Sequence, residues 1–154
     1  MGKINPDTAP KGQGSRYPAP YDIRCRDRAW VRLGDAAGLT GFGVNLVTLP
    51  PGVWSSQRHW HEKEDEFVYV LEGELTLVTD DGDEIMRPGD SAGFKAGVRN
   101  GHVLQNRTHA IARYLVVGGR DDADWGEYSD IDMKFLPGRY SSGNKYTKKN
   151  GEPL

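Results

Sequence analysis

The sequence predicts an all-β fold, a small sandwich or barrel, and three observations carry that expectation. At least seven short runs rich in β-branched and aromatic residues follow one another at near-regular spacing, with a turn signal at each break. Twenty glycines and nine prolines among 154 residues supply those turns. No segment sustains the apolar 3.6-residue periodicity of a helix.

In chain order, residues 1–23 read as an irregular arm. Pro6, Pro10, Pro18 and Pro20, with Gly12 and Gly14, exclude a helix there. Ile4, Tyr17 and Tyr21 give the arm something to bury, so it is expected to lie along a sheet edge and protect it. Residues 24–118 read as the β-domain. Its first strand is expected over 24–33, around Trp30 and Val31, followed by a loop over 34–38. A second strand over 41–49 is rich in β-branched and aromatic residues and ends at the turn Pro50-Pro51-Gly52. A strand carrying His59 and His61 follows, then strands over 67–71 and 75–78 on either side of Gly73. Asp81-Gly82 is a hairpin signal, with return over 84–87. Short strands are expected over 91–94 and 102–106, and the last strong one over 109–117. Residues 119–154 turn polar and read as a C-terminal tail, with a helical turn over 121–125.

Composition bounds the function. The chain is long enough for one domain with its own core. A net charge of −2 and 36% hydrophobic residues argue against a nucleic-acid binder and against disorder. No stretch approaches a membrane span, and the N-terminal residues lack a signal-like apolar run, so the expected location is cytoplasmic. The lone Cys25 excludes an internal disulfide and reads as an ordinary partly buried thiol.

The chemistry concentrates in residues 52–73. His59 and His61 are two apart, which on an extended strand puts both imidazoles on one face. Alone, such a pair is equally consistent with two solvated histidines. Glu66 follows at an odd spacing, after the polar run Glu62-Lys63-Glu64-Asp65, which reads as a turn that resets the face. Gln57 shares the histidines' face and is a candidate pocket residue. Trp60 and Arg58 fall on the opposite face and are expected outside the domain.

Two spaced motifs carry a resemblance. The first is Gly52, six residues, His59, one residue, His61, four residues, Glu66, six residues, Gly73. The second is Gly82, five residues, Pro88-Gly89-Asp90, then Gly97, with His102 and Asn106 beyond. Together, over roughly residues 41–117, they resemble the cupin superfamily, and most closely its small single-domain bacterial members of the cupin-2 type. The chain departs from the usual pattern at Lys95, where a proline is customary, and in having four residues between Gly97 and His102 rather than two.

The resemblance implies a single jelly-roll-like, double-stranded β-barrel. It implies that His59, His61, Glu66 and His102 converge on one divalent transition metal, with Glu64 or Asp65 as substitutes for Glu66. Three imidazoles and a carboxylate suit Fe, Mn, Ni, Zn or Cu. It further implies a small-molecule ligand or substrate and a homodimer, for which an exposed Trp60 or Phe67 would suit the interface. Asn106 reads as a turn-stabilising side chain, His109 as a solvated histidine, and Arg99 and Arg113 as surface charges able to meet an anion. The function expected is a mononuclear metalloenzyme on a small polar metabolite, with oxygenase, isomerase or lyase chemistry. A non-catalytic metal- or ligand-binding sensor for a sugar or organic acid is the other reading. The sequence carries no helix pair that would bind DNA.

Overall fold

The structure, a computed structural model, describes residues 2–154. Its strands are β1 (Lys11–Gln13), β2 (Ala29–Arg32), β3 (Phe42–Leu49), β4 (Glu66–Glu72), β5 (Leu75–Thr79) and β6 (Gly82–Met86). They continue as β7 (Ser91–Phe94), β8 (Val103–Gln105), β9 (Ala112–Gly119), β10 (Gly126–Glu127), β11 (Lys134–Phe135) and β12 (Tyr146–Thr147). A six-stranded antiparallel sheet runs in the order β1-β2-β3-β9-β4-β7, and a three-stranded one in the order β6-β5-β8. The two sheets share one core, and their edges do not close into a continuous hydrogen-bonded cylinder.

Alternation along the strands explains this arrangement. On β4, Val68 and Val70 are buried whereas Phe67, Tyr69 and Leu71 are exposed, the signature of a sheet with one face on a core. Register extends the pattern across the sheet, since Val47 pairs with Tyr114 and Tyr114 with Val70. The opposing sheet contributes Leu75, Leu77, Met86 and Leu104 to the same cluster. Each fully buried aliphatic side chain there contributes roughly 1.5–3 kcal/mol. Gly73, at φ +75°, makes the turn from β4 to β5, and a Cβ on it would sit 2.5 Å from the Ile111 carbonyl oxygen.

The arm runs along the sheet edge, with Lys11, Gly12 and Gln13 paired to Val31, Trp30 and Ala29. Several expectations differ from what forms. The strand over 24–33 shortens to β2 and is preceded by a 3-10 turn over Ile23–Cys25. Residues 34–38 contain part of a one-turn helix, Leu33–Ala36, rather than only a loop. The polar C-terminal stretch folds into a third sheet, β10-β11-β12, around Tyr128, Met133 and Phe135, with Tyr17 and Tyr21 of the arm packed against them. That sheet lies along residues 58–62, through the hydrogen bonds Trp60 N–H to Glu127 O, Glu62 N–H to Trp125 O and Ser129 N–H to Arg58 O. Gly126 permits the approach, because a Cβ there would overlap the Trp60 carbonyl oxygen. Residues 121–125 form a turn, with Asp124 N–H donating to Asp121 O, rather than a helical segment. Among the described residues no helix is long and apolar enough to cross a membrane.

Candidate metal centre

His59 and His61 lie on an extended stretch that is a rung between two neighbours rather than a regular strand. His59 bridges His102 on one side and Tyr128 on the other. The backbone N–H of His59 donates to the His102 carbonyl at 3.2 Å, and that of His102 donates back at 2.9 Å. The two-residue spacing then brings the Nε2 atoms of His59 and His61 to 3.1 Å. Glu66 opens β4 on its inner face. Its Oε2 lies 2.8 Å from His102 Nε2, 3.4 Å from His61 Nε2 and 3.9 Å from His59 Nε2. His59, His61 and Glu66 therefore meet, and His102 reaches the group through Glu66 alone.

The groups behind them decide which nitrogen is free. His59 Nδ1 is 2.8 Å from the Gln57 carbonyl oxygen, so it carries the proton and donates. His61 Nδ1 is 2.7 Å from Oδ2 of the fully buried Asp124 and does the same. Each Nε2 is left with a lone pair, and the two lone pairs face one another. Only a proton or a cation between them makes that arrangement favourable. Donors about 2.1 Å from a single ion lie about 3.0 Å apart at right angles and about 3.4 Å apart in a tetrahedron. The separations among His59, His61 and Glu66, 3.1–3.9 Å, are close to those values, so these three are the donors whose spacing suits one ion, with His102 beside Glu66. The chemistry and spacing of the donors thus fit one divalent metal.

Electrostatics agree. Burial disfavours the Glu66 charge, but hydrogen bonds from His102 and His61 outweigh it and hold the carboxyl well below its ordinary value. Burial, and then the neighbouring His61 and His102, push His59 well below the usual imidazole value, so it is neutral and able to ligate. For His61 burial lowers the value, but Asp124 and Glu66 together raise it to about 9, so in the absence of a cation Nε2 carries a proton that a bound metal would displace.

The other expected residues fall as follows. Glu64 lies behind His61, 3.9 Å from its Nδ1, rather than among the facing Nε2 atoms, accepting from Tyr140 OH and from the Asp121 N–H, each at 2.8 Å, and pairing with Arg139. Asp65 faces outward to Lys95. Gln57 is not in the cavity; its amide nitrogen donates to the Tyr21 carbonyl at 2.7 Å and pins the arm. The chain bends through residues 55–58, so the same-face rule for extended backbone does not reach Gln57. Trp60 does point away from the histidines, but it is 5% exposed, covered by Trp125 and by the Arg99 guanidinium, and offers no interface. Arg58 clamps Asp130 and Asp80 instead of standing free. Asn106 ties its turn, donating to Leu49 O and Ala110 O and accepting from Thr108. His109 is exposed and Arg113 pairs with Glu72 on the surface.

Sequence reasoning missed the groups that orient the donors. Asp124 stands 63 residues from His61, in a polar stretch with no local signal. Arg139 holds both Glu64 and Asp124, so the two carboxylates that group with His61 are paired with a guanidinium and serve to position His61. Phe94 stacks on the His102 ring at 3.6 Å and 4°. Tyr128 and Phe135, 5.8 Å from His59 and 5.1 Å from His61 respectively, close the site from the C-terminal side. The donors face a cavity of about 480 Å³ between the six-stranded sheet, the arm and the C-terminal sheet.

Comparison with known proteins agrees with this architecture. The family model described as "Cupin domain" matches residues 45–118. A sugar phosphate isomerase of the cupin superfamily from Silicibacter pomeroyi is 48% identical, superposes with a TM-score of 0.95, and is matched over 99% of this chain and 96% of its own. A putative sugar phosphate isomerase from Acidithiobacillus ferrooxidans is 29% identical, with a TM-score of 0.74 over 83% of this chain and 80% of its own. The polyketide cyclase RemF from Streptomyces resistomycificus, 22% identical with a TM-score of 0.64 over 79% of this chain and 80% of its own, shares the fold. No protein of curated function matches the chain. The paired sheets, the two motifs and a near-full-length relative at 48% identity lead to one statement: the chain belongs to the cupin superfamily.

Proposed function

We propose that the protein is a mononuclear metalloenzyme acting on a small polar metabolite, with isomerisation of a sugar phosphate as its reaction class. The observation that carries this reading is the cluster of the His59 and His61 Nε2 atoms with the Glu66 carboxylate on a cavity wall, with His102 hydrogen-bonded to Glu66 beside it. The likeness to a sugar phosphate isomerase over nearly the whole chain supports the reaction class. His59, His61, Glu66 and His102 would hold the ion, one of Fe, Mn, Ni, Zn or Cu. When bound, such an ion supplies Lewis acidity toward a carbonyl or hydroxyl oxygen.

The chain's own residues prepare the site. Asp124, held by Arg139, keeps His61 in one tautomer. Phe94 fixes the plane of His102, and Phe135 and Tyr128 exclude water above His59 and His61. Burial raises the pKa of the Tyr17 and Tyr128 phenols, which therefore line the cavity as neutral hydrogen-bonding groups. The protein is cytoplasmic in this reading and binds neither nucleic acid nor membrane. A homodimer would use the outer face of β4, where Phe67, Tyr69 and Leu71 are exposed, in place of the buried Trp60.

Metal content of the purified protein and uptake on titration test the first half of the reading; no uptake of any of the five metals removes it. Turnover of a panel of sugar phosphates, small acids and diketones by each metal-loaded form tests the second. Saturable binding without turnover would assign the site to a binding module instead.

A further inference from the structure

The cavity wall carries five arginines, and they are not equivalent. Arg139 is committed to Glu64 and Asp124, and Arg120 to Asp35 and the Leu39 carbonyl. Arg32 is loosely held, 4.0 Å from Asp35. Arg16 and Arg28 have no carboxylate partner among the described residues. Arg28 is the more constrained of these two. Its Nη1 donates to the Ser55 carbonyl, its guanidinium lies 4.9 Å over the Trp30 ring, and its buried Nε donates to nothing. A buried donor without an acceptor is costly, and a guanidinium fixed in plane by an aromatic face is preorganised for a planar fork of oxygens.

We propose that Arg28, flanked by Arg16 and Arg32, anchors the phosphate group of the substrate, an assignment that rests on the metalloenzyme reading for the other end of that molecule. Phosphate offers the several charged oxygens that a bidentate guanidinium matches best. The position is suitable. Trp30 pairs with Val47 on the inner face, and Arg28 and Arg32 lie two residues to either side, so all three share that face. Glu66 lies on the same face of β4, three strands away across β3 and β9, about 14 Å across the strands; its row falls two residues from Arg32 and six from Arg28, which adds about 20 Å along the strands to Arg28. Side chains reach inward from both ends of that span. The row that leads to Glu66 is Gly43 paired with Gly118, whose lack of side chains leaves room for the Arg120 guanidinium over Gly43 and the Glu66 side chain over Gly118. A dianion would be repelled from the carboxylates of Glu64 and Glu66 and drawn to the β2 wall. The sugar carbons would then lie toward His59, His61 and His102. Phosphate and reactive carbons would thus be held at opposite ends of one cavity.

Inorganic phosphate binding to the purified full-length chain, measured by calorimetry, tests this. The wild type is expected to bind phosphate saturably, and Arg28→Gln to weaken that binding at least about tenfold, the usual loss for a charge-assisted contact. Arg28→Lys keeps the charge, loses the fork, and is expected to weaken it severalfold; it decides the matter if Arg28→Gln does not fold. His59→Gln, which removes a metal donor, is expected to bind phosphate as the wild type does. Equal binding by the wild type and Arg28→Lys or Arg28→Gln, or no saturable binding by the wild type, overturns the assignment. So does a loss in His59→Gln as large as that in Arg28→Gln, which would move the phosphate to the metal donors. Acetate that displaces phosphate at equal concentration would show a general anion site and also overturn it. A wild type that takes up no metal yet binds phosphate through Arg28 would instead remove the metalloenzyme reading and leave the anion site standing.

Discussion

The two apolar clusters of this protein are built for different purposes. The larger one, from Val47 to Tyr114, is mostly aliphatic, lies within residues 45–118, and joins the two main sheets. The smaller one, Tyr128, Met133 and Phe135 with Tyr17 and Tyr21, is mostly aromatic and comes from the segments on either side of that stretch. The first cluster positions the donors, because it fixes the strands on which Glu66 and His102 stand. The second covers and orients them, because it carries Asp124, Arg139 and the rings that pack on His59 and His61. The contrast teaches that in this chain a candidate metal-donor set and its supporting groups are separable in sequence, with the main apolar core in one region and site geometry shared with the other.

If the work divides this way, damage to each region has its own signature. The largest effect is expected from Leu75→Ala, in the fully buried centre of the main cluster. Thermal or urea unfolding should show a loss of about 2–5 kcal/mol, while the fraction still folded keeps its metal stoichiometry. A loss of metal without loss of stability would reverse the division. His61→Ala should do the opposite. Elemental analysis after metal loading should find affinity reduced by at least about a hundredfold, on a chain whose circular dichroism is unchanged. Asp124→Asn probes the supporting groups alone. Its amide would offer an N–H where His61 Nδ1 needs an acceptor, and the expected loss of metal affinity is about 10–100-fold with all four donors intact.

The smallest effect concerns Cys25, at the join between arm and main domain and fully buried rather than partly so. Burial raises its thiol to about 11. The folded chain keeps this proton to higher pH than the unfolded chain, so the associated stability is present below the unfolded value and is lost as pH rises toward about 11. At pH 8 the native protein should therefore alkylate far more slowly than the same chain in denaturant, as mass spectrometry would read. Equal rates would mean that the arm is not docked.

Much of the main domain was legible because period-2 alternation and turn chemistry are local. The Asp81-Gly82 hairpin, the break at Gly73 and the strands over 41–49 and 67–71 all rest on neighbours within a few residues, and each forms. The two histidines could be placed together for the same reason. Gln57 could not, because the chain bends between residues 55 and 58 and a rule about extended backbone stops at the bend. The inward-facing roles of Asp124 and Arg139 had no local signal at all, since polar residues in a Gly-rich stretch read as solvated until something buries them.

What the sequence alone determined was the class of fold and the pairing of His59 and His61 near Glu66, because both are written in spacings short enough for backbone geometry to enforce. What only the tertiary structure decided was the company those donors keep. It set which nitrogen of His59 and of His61 is held by a neighbour, which arginines are neutralised and which stay open, and that Trp60 is covered. Those outcomes depend on contacts between residues far apart in the chain, and burial assigns their charges and tautomers only once distant segments have packed together.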